Sequence, residues 1–207
     1  SSAASDVYKR QLCGFPFGRA RSALFGCGRG AFFRSSLFFA VSLSARKRGE
    51  QVEPVKPVVF YIDPDFPEKW QPAVYEGVMQ WNELFAKIGF KNAVKALPYP
   101  EDDPEFDPDN IKYSCLRYAP VPIANAMGPS WVDPRSGEIV NASVYVFHDI
   151  VKLVNNWRFI QTAQADKSVR SVKLPREVMD DALRYVVTHE VGHCLGFMHN
   201  MSSSVSY

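Results

Sequence analysis

Apolar positions along this chain switch between short continuous runs and helical spacing, and the switches predict its elements. Val58-Val59-Phe60-Tyr61-Ile62 is an unbroken run of β-formers of strand length. Asp63-Pro64-Asp65-Phe66-Pro67 has turn chemistry. Trp70, Val74, Val78, Trp81, Leu84, Phe85 and Ile88 then recur every three or four positions, which predicts an amphipathic helix over about 68–88. Gly89 ends it, and its aromatic stripe reads as core. Phe90 to Leu97 and Ile111 to Ala119 read as further strands, Ile123 to Gly128 as a short edge strand, and Asn141 to Phe147 as the last strand. Asp133-Pro134-Arg135-Ser136-Gly137 marks a turn between the last two. Ile150, Leu153, Val154, Trp157, Ile160 and Ala163 predict a helix over about 149–164. After a polar connection, Pro175 opens a final helix whose apolar face carries Val178, Met179, Ala182, Leu183, Val186 and Val187. There are no internal repeats. The element order predicts an α/β (α+β) domain with a twisted mixed sheet packed by long helices.

Charge divides the chain. Residues 1–49 hold nine Lys/Arg and one acid; removing them from totals of 24 basic and 22 acidic leaves 15 and 21, so residues 50–207 carry a net −6. An acidic body argues against nucleic acid as a partner. No apolar run is long enough to span a bilayer. Residues 1–11 read as a translated sequencing adapter and Val205-Ser206-Tyr207 as the start of its counterpart, so neither end is expected to be natural. Residues 12–49 are rich in Phe, Arg, Gly and Ser and show no sustained period, so 1–49 reads as an artefactual, leader-like or disordered segment. The domain proper is assigned to 50–204.

The chemistry concentrates in His189-Glu190-Val191-Gly192-His193-Cys194-Leu195-Gly196-Phe197-Met198-His199-Asn200, which holds three of the four histidines. His189 and His193 are four apart, so on a helix they share one face, a turn apart, and two such imidazoles can hold one metal ion. Glu190 leans toward that ion without being a first ligand and is placed to take a proton from water. Gly196 suits a left-handed turn that ends the helix and returns His199 as a third ligand. Three ligands leave a position open, as in a catalytic zinc site. The cofactor expected is therefore Zn2+.

The spacing H-E-x-x-H-x-x-G-x-x-H resembles the metzincin clan of zinc metallopeptidases. Residues 54–204 resemble the catalytic domain of secreted bacterial zinc-dependent metalloproteases in that clan. The resemblance also rests on Phe60-Tyr61-Ile62-Asp63-Pro64, Pro67-Glu68-Lys69-Trp70, Gly89-Phe90-Lys91-Asn92-Ala93, Ile123-Ala124-Asn125-Ala126, Gly128-Pro129-Ser130 and Asp133 to Ile139. It implies a zincin upper subdomain, with zinc ligands at His189, His193 and His199 and a general base at Glu190. It also implies that the edge strand Ala124, Asn125, Ala126, Met127 and Gly128 forms the upper rim of a cleft and pairs with an extended peptide or protein substrate. An extracytoplasmic location follows from the same resemblance. Metzincins carry a methionine turn beneath the zinc; Met201 stands too near His199 to be that turn, so the chain is expected to be a piece of a longer gene product lacking the floor of the site, and inactive or weakly active by itself.

Two other readings compete with a zinc endopeptidase. One is a non-catalytic surface module that holds peptides along its edge strand. The other is a structural zinc site, which needs a fourth protein ligand; Cys194 is next to His193 but points about 100° away on a helix. His148, at a strand end, reads as structural, Cys115 as a small buried apolar residue, the acidic loop 99–110 as solvated rather than calcium-binding, and the Asn141-Ala142-Ser143 sequon as chance.

Overall fold

The computed structural model describes residues 50–199; the expectations for residues 1–49, Asn200, Met201 and 205–207 lie outside the described residues. The first predicted strand forms as expected. β1 (Val58–Ile62) lies inside a five-stranded sheet with β2 (Val94–Pro98), β3 (Cys115–Ala119), β4 (Ala126–Met127) and β7 (Val144–Phe147). The order is β2-β1-β3-β7-β4. The first four strands in that order run parallel, and β4 is antiparallel to β7, with Ala126 opposite Val146 and Met127 opposite Tyr145. Parallel strands covered by helices need apolar side chains on both faces. Phe60, Val94, Leu116 and Val144 accordingly have no exposed surface. β5 (Ser130–Val132) and β6 (Ile139–Ala142) form a separate antiparallel hairpin closed by the predicted Asp133–Gly137 turn, where Gly137 takes a φ of 75°.

The strand predicted over Asn141 to Phe147 is therefore two strands. Ser143 divides them: its N–H donates to Pro129 O at 3.1 Å, outside both ladders. Asn141 is buried, and its side-chain amide donates to Ile111 O and Tyr113 O at 3.0 and 2.8 Å, so the sequon asparagine is committed to the interior. The second and third strands also start later than predicted. Asn92 adopts a left-handed φ of 53° before β2, and residues 111–114 are taken up by turns that Asn110 initiates. In the acidic loop, Asp103 and Asp107 accept the N–H groups of Glu105 and Asp109, closing local turns.

The predicted helix over 68–88 is α1 (Gln71–Met79) and α2 (Trp81–Lys87), interrupted at Gln80. Gln80 keeps helical angles of −56° and −28°, and its N–H still donates to Glu76 O, so the chain continues in the same direction. α3 (Ile150–Thr162) and α4 (Arg176–Cys194) match the two later helices, with Pro175 immediately before α4. α4 packs along α1 at backbone distance. A Cβ at Gly77 would lie 2.8 Å from Val187 Cβ and 2.9 Å from Arg184 O. The Thr188 hydroxyl shares its one proton among Gly77 O, Arg184 O and Gln80 Oε1, at 2.8, 2.8 and 2.9 Å. Arg158 of α3, 3% exposed, donates to Asp181 of α4 at 2.7 Å. Gly77→Ala is expected to force α1 off α4 and to cost about 1–3 kcal/mol. A urea midpoint equal to the parent's would contradict this packing. No helix among the described residues is long and apolar enough to cross a membrane.

Candidate metal centre

α4 delivers His189 and His193 one turn apart, both half-buried. The helix then stops in a defined way. Gly196 has φ 90° and its N–H donates to His193 O at 2.9 Å, while Phe197 N–H donates to Gly192 O at 3.0 Å. This pair of bonds around a left-handed glycine is the Schellman termination. It reverses the chain and returns His199 to the helix face. Gly196 thus occupies the role its position predicted.

The three histidine Nε2 atoms form a nearly equilateral triangle: 3.1 Å from His193 to His189, 3.1 Å from His193 to His199 and 3.2 Å from His189 to His199. Three bare ring nitrogens this close repel unless a cation or a shared proton lies among them. Ligands bound at about 2.0–2.1 Å in a tetrahedral zinc shell are spaced about 3.3 Å apart, so the donor set fits that ion. Two further features prepare the nitrogens. His193 Nδ1 is 2.8 Å from Phe197 O; the proton on Nδ1 donates there and leaves Nε2 bare. Burial, then the charges of His193 and His199, hold His189 down at about 4, so it is neutral at pH 7.

Glu190 is buried on the same helix but lies outside the group of histidines that could hold a metal. Burial pushes its pKa up, opposed by the His193 charge and by the Gly128 N–H, which donates to its carboxylate. Gly128 lies so close to α4 that a Cβ there would come within 2.4 Å of Glu190 O and 3.1 Å of Cys194 Sγ. Cys194 also lies outside the ligand group. Burial, reinforced by the Glu190 charge, pushes its thiol far up, and its sulfur lies 3.9 Å from Pro129 O. The structural-zinc reading finds no fourth ligand among the described residues.

The predicted edge strand is shorter than expected. Only Ala126–Met127 is strand; Asn125 contributes its carbonyl to Phe147 N–H at 3.2 Å, and Ala124 is exposed outside the ladder. The prolines at 120, 122 and 129 explain this, because they remove ladder donors on both sides. β4 nevertheless occupies the sheet edge next to α4, with its outer edge unpaired among the described residues. Beside it a cavity of about 120 Å³ is lined by Asn125 and Ala126, by Ile150, Leu153 and Trp157 of α3, and by Tyr185, Val186, His189 and Glu190 of α4. The sequence marked Leu153 and Trp157 only as the apolar face of a helix. Their place beside the histidines depends on how α3 packs, which spacing cannot reveal. His148 is exposed, with Nδ1 2.5 Å from the Tyr118 hydroxyl and its ring stacked on Trp70 at 6.0 Å, and it is not part of the metal group.

Comparison with known families agrees with this geometry. A family described as Met-zincin matches residues 171–207, the segment that carries α4 and all three grouped histidines. No curated protein and no solved structure matches the chain. The match and the histidine triangle together mark a zinc-binding, metallopeptidase-like region within a mixed α/β, zincin-like fold.

Proposed function

We propose that this protein is a zinc-dependent endopeptidase. The observation that carries the proposal is the convergence of three imidazole nitrogens at 3.1–3.2 Å, beside a buried carboxylate and a free sheet edge. His189, His193 and His199 would hold the ion. When bound, zinc supplies Lewis acidity and lowers the pKa of water toward neutrality. Glu190 accepts the proton of the attacking water on its carboxylate and later passes it to the leaving amine. The unpaired edge of β4 receives an extended peptide by strand addition. The neighbouring cavity, walled by Ile150, Leu153, Trp157 and Val186, takes an apolar side chain of that peptide. A binding module would gain nothing from a buried carboxylate beside the metal, so Glu190 favours catalysis. The resemblance to secreted bacterial proteases extends the proposal to an extracytoplasmic location.

In any preparation that hydrolyses a casein-type substrate, a zinc chelator is expected to abolish that hydrolysis, and added zinc, but not magnesium, to restore it. Full activity in chelator-stripped protein would refute the proposal.

A further inference from the structure

The third ligand and the tautomer of the second both depend on one short turn, and that turn is held from outside its own helix. Schellman terminations are commonly accompanied by an apolar contact between the residue after the left-handed glycine and the residue whose carbonyl it binds. Here these are Phe197 and Gly192. Gly192 has no side chain to offer. Trp81, at the start of α2, fills the place: a Cβ at Gly192 would lie 2.8 Å from Trp81 Cζ2. The Phe197 ring stacks on the Trp81 indole at 5.3 Å between centroids and 11° between planes. The indole is itself fixed: Trp81 is 3% exposed, and Nε1–H donates to Thr188 O at 2.9 Å, one residue before His189. One ring therefore touches α4 at Thr188, just before the first histidine, and at Gly192 near the helix end, and it also touches Phe197 in the turn that follows.

We infer that the Trp81–Phe197 stack is the device that preorganises the metal centre, with Trp81 and Phe197 as positioning residues for His193 and His199. The inference rests on the metal-site reading above. The stack fixes the Phe197 peptide; its carbonyl receives His193 Nδ1–H at 2.8 Å, which leaves Nε2 bare. The same fixed peptide sets the direction from which His199, two residues on, re-enters the site. Without the ring the turn keeps its glycine but loses its lateral support.

The test uses the full chain with zinc as the only added ligand. Phe197→Ala is expected to weaken zinc binding about 10-fold, the lower end of what losing an outer-shell partner costs. Phe197→Tyr keeps the ring face and should bind as the parent does. If the alanine variant fails to fold, Phe197→Leu, which keeps apolar bulk without a ring face, should show a smaller loss in the same direction. In metal-free protein, nitrogen NMR should find His193 protonated at Nδ1 in the parent and Phe197→Tyr, and a tautomer mixture in Phe197→Ala; a purely structural role would leave this ratio unmoved. Unchanged zinc affinity and tautomer ratio in a folded Phe197→Ala protein would overturn the inference, as would a loss that Phe197→Tyr shares. His199→Ala serves as the control. If it loses zinc while Phe197→Ala does not, only the role of the stack fails; if it binds zinc like the parent, the metal-site reading itself fails.

Discussion

His193→Ala is expected to reduce zinc affinity by on the order of 100- to 1,000-fold. The magnitude follows from about 10–16 kcal/mol for a four-ligand zinc site at neutral pH, shared among its ligands. His193 is the most informative of the three because its Nε2 lies 3.1 Å from each of the other two ring nitrogens. Its Nδ1 also holds the Phe197 carbonyl, so the substitution removes a ligand and an anchor of the turn together. Competition against a chromophoric chelator measures the loss. A second readout is independent of any assay for activity. Zinc that binds only the folded state stabilises it by about 2.7 kcal/mol at a free concentration 100 times its dissociation constant. The parent's melting temperature should therefore rise with zinc, and the variant's should not at the same concentration. An equal zinc-dependent rise in both would remove His193 from the site.

Glu190→Gln should have the opposite pattern. Turnover is expected to fall at least 100- to 10,000-fold, the range attributed to a positioned acid–base group. Zinc affinity should stay within a few-fold of the parent, because Glu190 is outside the ligand group. The exchange is nearly isosteric, and the amide oxygen can still accept the Gly128 N–H. A neutral side chain is also easier to bury than the carboxylate that burial already disfavours. The variant should thus be at least as stable as the parent, so a loss of turnover cannot be attributed to unfolding. Steady-state hydrolysis of a quenched peptide, alongside metal content, checks both halves. Parent-like turnover in zinc-loaded Glu190→Gln would remove Glu190 from its role.

The grouping of the three histidines beside Glu190 was readable in the sequence because each residue obeys a local rule. His189 and His193 are four apart, Glu190 follows the first, and Gly196 allows a positive φ that the chain indeed adopts. The sheet was readable where burial on both faces leaves an unbroken apolar run, as in β1. Legibility failed where tertiary contacts override a local pattern. Nothing between Asn141 and Phe147 is a breaker, yet the Pro129 carbonyl captures Ser143 N–H and separates two sheets. Gln80 interrupts a helix whose apolar spacing runs straight through it. Trp81 fell within the stripe predicted to be core, and it is buried as expected. Its contact with Phe197 was invisible because the two residues are far apart in the sequence and no local pattern links them. Gly128 belonged to a predicted edge strand, but its closeness to Glu190 depends on how that strand meets α4.

The histidine triangle is where the fold and the proposed chemistry meet, and X-ray absorption at the zinc edge on purified, zinc-titrated protein probes it most directly. The expected result is one zinc per chain with three imidazole nitrogens at about 2.0–2.1 Å and one light-atom ligand from solvent, falling to two imidazoles in His199→Ala. No stoichiometric zinc, or a sulfur neighbour at about 2.3 Å marking Cys194 as a ligand, would contradict the account.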